Sequence, residues 1–350
     1  MDQRRFQSLK TEIINLGRLL WEKDLASGLN GNISTRVDGD VILLTATKTC
    51  LGQLNPKDIL LMKLDGTILE AGAVSTEKLL HTEIYKNFPD AKAVIHTHTT
   101  YTSAYFLEHD CLTPRIFESK VYLGEIKAVE QMTPSVTHSA PVIGALKRNN
   151  VAVLKNHGVV AMGENLFDCF VLIQGLEEAV KIEAISRLFK GAQAHKSTTR
   201  LSDGQGTQVS IEKFRTTSHE RQATSKKYKL FSEEQITEIV RLVNEDSKLQ
   251  DLGTKTQMNM DLAVQLNETG KVYSFQFQNG RITNVGNNSG AEFLISASEH
   301  IWRAVFNQEI DPFVATTQKK MNLRGDFAKI SKWYAPCSRI FELWQLVPVE

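Results

Sequence analysis

The sequence predicts a protein of two domains, the first a mixed α/β domain with a largely antiparallel sheet. Apolar strand-like runs alternate along it with segments of helical spacing. Short turns such as Asp38-Gly39-Asp40 join neighbouring strands as hairpins, and hairpins connect antiparallel strands. A length of 350 residues favours about two domains over one, and the composition changes after Gly191.

Composition and charge exclude several classes of function. The content of 41% hydrophobic and 23% charged residues is ordinary for a soluble globular protein. A net charge of +1 gives no reason to expect nucleic acid or an anionic membrane as partner. We find no apolar run long enough to cross a bilayer and no secretory signal at the N-terminus. The four cysteines are far apart, so we expect reduced thiols in a cytoplasmic protein.

The elements of the first domain follow from local patterns. Apolar residues at helical spacing predict a helix over 6–25. Two hairpins are expected over 33–46 and 58–69, and a helix opens at Ser75-Thr76-Glu77 and stops before Pro89. The remaining elements are expected to be a strand up to residue 98, a helix over 100–107, a short helix over 141–149 and a strand from 152. A long amphipathic helix over 167–190 would bury the face that carries Ile173, Leu176, Val180, Ala184 and Leu188.

A polar segment divides the two predicted domains. Residues 192–227 are rich in Ser, Thr, Gln, Lys and Arg and have no sustained period, which is typical of a linker. We therefore expect domains at 1–191 and 228–350. The second should open with a helix capped by Ser232. Its further expected elements are strands at 258–266, 271–277, 281–285 and 291–296, a helix over 298–307 and a final helix over 327–333.

Three histidines at the ends of apolar runs point to a metal. His96 and His98 are two residues apart in a strand, and alternate side chains of a strand share a face. His157 follows the second run, Val151 to Leu154. Three imidazoles suit the open three-ligand set of a catalytic zinc ion. Taken alone, a lone histidine is more often a core residue, and Glu77 could be only a helix-start acid.

Five motifs, taken in their order along the chain, resemble those of the class II aldolase and adducin family over about residues 5–190. They are Gly31-Asn32-Ile33-Ser34, Leu44-Thr45-Ala46-Thr47, Ser75-Thr76-Glu77, His96-Thr97-His98 and Asn156-His157-Gly158. The resemblance implies a three-layer α/β/α fold and a homotetramer with sites at subunit borders. It also implies a divalent metal, usually zinc, held by His96, His98 and His157, with Glu77 as the acid/base. Such a metal is a Lewis acid that stabilises an enediolate, and a carboxylate beside it can move the proton.

The same resemblance implies a phosphate-binding site near the start of the Glu77 helix. Free backbone N–H groups and the helix dipole attract anions there, although Ser75 or Thr76 could simply cap the helix. The residues implied are Gly31, Asn32, Thr47, Ser75 and Thr76. The family commonly has glycine where this chain has Lys48. Lysine cannot copy the close approach of glycine, but it could add a point charge for a phosphorylated substrate.

One departure from the family's pattern leaves the type of reaction open. The family's aldolases use a tyrosine from a neighbouring subunit, and the corresponding stretch, Pro114-Arg115-Ile116-Phe117-Glu118, contains none. The first interpretation is a zinc-dependent aldolase that acts on a small sugar phosphate or similar hydroxy-carbonyl compound. An epimerase or dehydratase could use a similar metal site, and a non-catalytic binding protein of the adducin type is the alternative from another class.

Residues from about 252 to 347 resemble the sterol carrier protein type-2 domain. The motifs are Gly270-Lys271-Val272-Tyr273-Ser274-Phe275, Asn279-Gly280, Phe293-Leu294-Ile295-Ser296-Ala297-Ser298 and Met321-Asn322-Leu323-Arg324-Gly325-Asp326. The resemblance implies a curved sheet with helices around an apolar tunnel for a lipid-like ligand. In the alternative interpretation Trp302, Phe306, Phe313 and Trp333 only pack in a closed core.

Overall fold

The computed structural model of the chain describes residues 3–197 and 226–350. Of these, residues 3–185 and 313–318 form one compact unit, and residues 186–197, 226–312 and 319–350 form the other. The first carries the three histidines and Glu77.

The first unit contains helices before, between and after the strands of one sheet. Its helices are α1 (Gln3–Glu22), α2 (Lys78–Asn87), α3 (Thr100–Glu108), α4 (Phe117–Leu123), α5 (Ala140–Arg148) and α6 (Leu166–Ser197). Its strands are β1 (Asn32–Asp38), β2 (Val41–Thr45), β3 (Ile59–Lys63), β4 (Ala93–Thr97), β5 (Cys111–Leu112), β6 (Ile126–Val129), β7 (Val151–Leu154) and β8 (Gly158–Gly163).

These strands form an eight-stranded sheet in the order β3-β2-β1-β4-β8-β7-β6-β5. Every neighbouring pair is antiparallel except β6 and β7, which run parallel. The predicted antiparallel sheet is therefore confirmed. Asn32 on β1 lies opposite His96 on β4, so these two side chains share one face of the sheet.

The two faces of the sheet are buried in two separate apolar cores. Along β4, Ala93 and Ile95 belong to the core that includes Leu20 of α1 and Leu176 of α6. Val94, which points the other way, belongs to the core formed with α2 and α5, including Ile84 and Leu146. Helices thus cover both faces, and the three-layer α/β/α architecture is confirmed. His96, two residues from Val94, lies on the α2 side of the sheet.

The second unit is a smaller α+β structure with a five-stranded sheet in the order β11-β10-β9-β12-β13. Its strands are β9 (Asn259–Leu266), β10 (Val272–Gln278), β11 (Arg281–Gly286), β12 (Phe293–Ala297) and β13 (Asn322–Arg324). Its helices are α7 (Glu233–Glu245), α8 (Ser247–Lys255), α9 (Glu299–Phe306), α11 (Phe327–Lys332) and α12 (Tyr334–Trp344). The short helix α10 (Pro312–Thr317) belongs to the first unit from Phe313 onward. Ser232 accepts a hydrogen bond from the amide of Gln235, so the predicted cap of α7 is confirmed.

Aromatic side chains fill the interior of the second unit. Trp302 is fully buried, and its ring lies 5.4 Å from that of Phe231, 6.0 Å from Phe306 and 6.2 Å from Trp344. Trp333 is also buried and lies edge-on to Phe293 at 6.4 Å. Such ring pairs stabilise a core beyond the burial of their area. Trp302 is thus packed among three other aromatic rings.

The long helix differs from its predicted form at its C-terminal end. Ile173, Leu176 and Val180 are buried as expected, but the side chain of Leu188 is 73% exposed and Ala184 is only half-buried. The first compact unit ends at residue 185, so the helix has left that core before it reaches Leu188. The helix also continues to Ser197, so residues 192–197 of the predicted linker are helical. Residues 198–225 of that linker lie outside the described residues.

Two further expectations needed correction, and one strand was not expected. Residues 67–69 form no second strand of a hairpin, because only Ile68 makes a bridge, to Met62. The helix over 327–333 is not the last, since α12 follows it directly. Strand β8 after His157 was also missed. None of the helices within the described ranges is long and apolar enough to span a membrane.

Candidate metal centre

Two adjacent strands place the three histidines. His96 is the penultimate residue of β4, and His98 lies just beyond the end of that strand. β4 pairs with β8, and the tight hairpin between β7 and β8 carries His157. Asn156 has φ of 61° in that hairpin, a left-handed conformation that asparagine tolerates better than most residues. At Gly158 a Cβ atom would lie 2.4 Å from the carbonyl oxygen of Thr97, so only glycine lets the hairpin approach β4.

The Nε2 atoms of the three imidazoles converge on one point. Nε2 of His96 lies 3.0 Å from Nε2 of His98 and 3.0 Å from Nε2 of His157. Nδ1 of His96 lies 3.0 Å from the carbonyl oxygen of Val159, so Nδ1 carries the proton and Nε2 carries a lone pair. The hydrogen bond to a backbone carbonyl is the usual way in which a metal-binding histidine is oriented.

This donor set fits a divalent metal. Zinc–imidazole bonds of tetrahedral sites place neighbouring nitrogens about 3.3 Å apart, close to the spacing found here. Burial lowers the pKa of His96 well below its ordinary value, and the neighbouring His98 and His157 lower it further. Burial also lowers the pKa of His98 to about 4 and that of His157 below its usual range. The rings are therefore neutral at pH 7, which is the form that binds metals.

Glu77 stands beside this cluster as the N-cap residue of α2. Its Oε1 lies 3.5 Å from Nε2 of His157, and its Oε2 accepts the backbone N–H of Val136 at 3.1 Å. Burial raises the pKa of the Glu77 carboxyl group, while hydrogen bonds from Val136 and from the Ser135 hydroxyl oppose that rise. The segment around Ser135 was not anticipated from the sequence, which carries no signal that it would reach Glu77.

The structure brings most of the predicted anion-binding residues to one region. Ile33 next to Asn32 donates its N–H to Oγ1 of Thr45 at 3.1 Å. The backbone N–H of Thr47 donates to the carbonyl oxygen of Ala73 at 3.0 Å. The backbone N–H of Ser75 donates to the carbonyl oxygen of Thr45, also at 3.0 Å. These bonds hold the ends of β1 and β2 against the segment that precedes α2.

The predicted anion-binding residues differ in burial and in backbone conformation. Gly31 has φ of 97°, and a Cβ there would lie 3.0 Å from the carbonyl oxygen of His96. Ser75 is buried, and its hydroxyl accepts the N–H of Glu77 at 3.2 Å, so it does cap the turn. Thr76 is exposed. Lys48 is exposed at a turn with φ of 60°.

A buried polar ladder beside the site was missed by the sequence analysis. His81 on α2 lies between Asn32 and Ser34, with Nε2 2.6 Å from Oδ1 of Asn32 and Nδ1 2.6 Å from the Ser34 hydroxyl. The Ser34 hydroxyl lies 2.9 Å from that of Tyr85. Burial lowers the pKa of His81 to about 3, so the ring is neutral. Its spacing of four residues from Glu77 was the available signal, because such residues share a helix face.

Comparisons with known proteins assign the family of this fold and site. The family described as Class II Aldolase and Adducin N-terminal domain matches residues 11–184. L-fuculose phosphate aldolase of Methanocaldococcus jannaschii is 36% identical over 184 residues, which is 52% of this chain and 98% of that protein. 3-Oxo-tetronate 4-phosphate decarboxylase of Pectobacterium atrosepticum is 30% identical over 182 residues, 50% of this chain and 84% of that protein. The chain belongs to the class II aldolase and adducin family, and its first unit is that of an aldolase-like lyase.

A solved structure titled as sterol carrier protein 2 is a neighbour of part of the remaining chain. It is 17% identical, has a TM-score of 0.32, and covers 34% of this chain and 99% of that one. A similarity at this level supports no conclusion about what the second unit binds.

Proposed function

We propose that the chain is a divalent-metal-dependent aldolase that cleaves or forms a carbon–carbon bond in a small phosphorylated hydroxy-carbonyl compound. The observation that carries this proposal is the convergence of three neutral imidazoles within reach of the buried carboxyl group of Glu77. His96, His98 and His157 would hold the metal, for which zinc is the best match to three nitrogen ligands. A bound metal would supply Lewis-acid polarisation of the substrate's carbonyl and hydroxyl oxygens.

Glu77 would act as the acid/base. In the synthetic direction its carboxylate would take the proton from the carbon next to the carbonyl group, and in cleavage it would return that proton to the same carbon. Its burial excludes bulk water from the proton transfer. The Val136 N–H on Oε2 leaves Oε1 as the oxygen that faces the histidines. A raised pKa suits this exchange, because it brings the carboxyl group closer to the working pH.

The phosphate of the substrate would bind near Asn32, Thr47 and Ser75, with Gly31 and Thr76 at its border. Asn32 lies opposite His96 in the sheet, so an anion held there would keep the reacting carbons close to the metal ligands. Lys48 would add a positive charge from the adjacent turn. The homotetramer stays a proposal that follows from the aldolase family resemblance. The cytoplasmic location stays a proposal that follows from the four dispersed cysteines, and a lipid-like ligand of the second unit follows from its resemblance to the sterol carrier protein type-2 domain.

A second candidate is the decarboxylation of a phosphorylated oxo acid, favoured by the relative from Pectobacterium atrosepticum that carries this activity in its name. Both reactions leave an electron pair on a carbon next to a carbonyl group, so the same residues would serve. Ketose phosphates and phosphorylated oxo acids should be offered to the purified protein with zinc and with a chelator. Release of an aldehyde that depends on metal supports the aldolase, release of CO2 supports the decarboxylase, and turnover unaffected by the chelator contradicts the proposed site.

A further inference from the structure

Four polar side chains lie in the core between α2 and the sheet, where a three-layer fold normally packs apolar ones. Asn32 and Ser34 come from β1, and His81 and Tyr85 come from successive turns of α2. All four are buried, and those of Ser34 and His81 are fully inaccessible. Buried polar groups destabilise a core unless each one is hydrogen-bonded, so the direction of every bond in this ladder matters.

The atoms in contact fix that direction. Oδ1 of Asn32 can only accept, so Nε2 of His81 carries the proton and donates to it over 2.6 Å. Nδ1 of the neutral ring then has a lone pair and accepts the Ser34 hydroxyl. That hydroxyl in turn accepts from Tyr85, so the hydrogen bonds run one way from the phenol to the amide. The ladder thus ties up the acceptor of Asn32 and leaves its donor free.

The free donor of Asn32 stands next to the candidate metal centre. Within residues 3–197 and 226–350, the Nδ2 group of Asn32 has no hydrogen-bond partner. Unlike the hydroxyls of Thr97 and Thr99, which also have no partner, it is not completely buried. Asn32 is paired with His96 across β1 and β4, so its amide lies on the metal side of the sheet. A buried amide group that offers only N–H hydrogens selects a ligand atom that accepts, such as a phosphate or carboxylate oxygen.

We propose that His81 is a positioning residue that fixes the Asn32 amide as a donor toward the substrate's anionic oxygen. The inference rests on the proposed function, because it takes the anion to bind at Asn32. Without the imidazole, the amide could rotate by half a turn and present its oxygen, which would repel an anion. His81 does not touch the substrate in this arrangement, and its effect passes through Asn32.

The test is a double-mutant cycle on the full-length, zinc-loaded protein with inorganic phosphate as the probe. Asn32→Ala should weaken phosphate binding about tenfold, the effect of one hydrogen bond to a charged group. His81→Phe should weaken it nearly as much, and the double variant should bind no more weakly than Asn32→Ala alone. His81→Gln, which keeps an N–H donor, should restore part of the affinity. Bound zinc per chain, unchanged in each variant, reports that the fold is intact.

The outcomes separate this inference from the proposed function. If Asn32→Ala binds phosphate as tightly as the wild type, the proposed anion site is wrong and the inference falls with it. If Asn32→Ala weakens binding but His81→Phe does not, or if the two effects add, only the role of His81 is wrong. If His81→Phe loses its zinc, Ser34→Ala takes its place in the cycle. Ser34→Ala removes the hydroxyl that donates to Nδ1 of His81, so the His81 ring can change tautomer. Nitrogen NMR of labelled histidines should show His81 protonated at Nε2, and an Nδ1-protonated ring would overturn the inference.

Discussion

Glu77 is the residue on which the proposed chemistry depends most directly. Glu77→Gln should keep the metal and the fold but lower turnover by about a hundredfold to ten-thousandfold, the usual contribution of a general acid/base. Glu83→Gln on the same helix is the matched control, because Glu83 pairs with Lys86 and not with the site. Steady-state rates and bound zinc should be measured for both. Wild-type turnover in Glu77→Gln would leave Glu77 as a helix-start acid only.

Lys48 combines a strained backbone with a proposed role in binding. A φ of 60° favours glycine, so Lys48→Gly should raise the free energy of unfolding by about 1 kcal/mol. Lys48→Ala should weaken phosphate binding and make it less sensitive to salt, because a point charge is screened by ions. Lys57→Ala is the control for a nearby exposed lysine. Equal phosphate affinity of Lys48→Ala and wild type at low salt would show that Lys48 only faces solvent.

His81 predicts a pH dependence of stability in the metal-free protein. Its pKa is lowered to about 3 in the fold, so on acidification the unfolded chain binds this proton first. The stabilisation is complete above about pH 6.5 and is lost as the pH falls from there toward 3, at up to about 1.4 kcal/mol per pH unit. Urea unfolding at several pH values with a chelator should show a shallower pH slope for His81→Gln. Parallel slopes would contradict a buried neutral imidazole.

At this scale the sequence revealed the residues that carry chemistry but not those that hold them. His96 and His98 could be placed on one face because the strand period is two. Nothing local indicated that Val136 would donate to Glu77, since 59 residues separate them along the chain. His81 was overlooked because a histidine in an amphipathic helix has no distinctive pattern, and only the fold shows it between Asn32 and Ser34.

The hairpin between β7 and β8 is the element that sets the position of His157. Gly158→Ala should displace it, because the added Cβ would lie 2.4 Å from the oxygen of Thr97 and 2.9 Å from the ring of His98. We expect bound zinc to fall severalfold and the melting temperature to drop. Gly144→Ala in α5 is the control: its Cβ meets nothing within 4 Å, so it should stabilise by roughly 0.5–1 kcal/mol. Full zinc binding by Gly158→Ala would contradict this view of the hairpin.

Periodicity identified the elements that have one clearly buried face and failed at the others. α1 and α2 and the hairpin of β1 and β2 were foreseen, since their apolar residues repeat at the helix or strand period. β8 was missed because its residues Val159 to Met162 are buried on both faces and do not alternate. Leu188 continues the apolar stripe of α6 in the sequence, but it is exposed because the first compact unit ends at residue 185.

At the scale of the whole molecule, the proposal is that residues 1–191 and 228–350 fold independently. Each half has its own sheet. Residues 313–318 of the second half belong to the first compact unit. Expressed separately, each fragment should unfold in one cooperative transition, and the first should retain zinc. A second fragment that is unfolded alone, while the full chain is folded, would contradict the proposed boundaries.

The second fragment also allows a test of the lipid-like ligand. A tunnel would take up a fluorescent fatty-acyl probe in a saturable way and near one per chain, because it offers dry, concave apolar surface. A folded fragment whose core around Trp302 is closed by Phe231, Phe306 and Trp344 would take up none. Saturable uptake supports the carrier proposal, and its absence leaves the second unit as a structural module.

The central claim is that His96, His98 and His157 hold one divalent metal ion. The most direct measurement is the metal content of purified protein, for the wild type and for His96→Ala, His98→Ala and His157→Ala. His300→Ala, an exposed histidine of the second unit, is the control. We predict about one zinc ion per chain in the wild type and the control, and much less in each of the three variants. Equal metal content in all five proteins would contradict it.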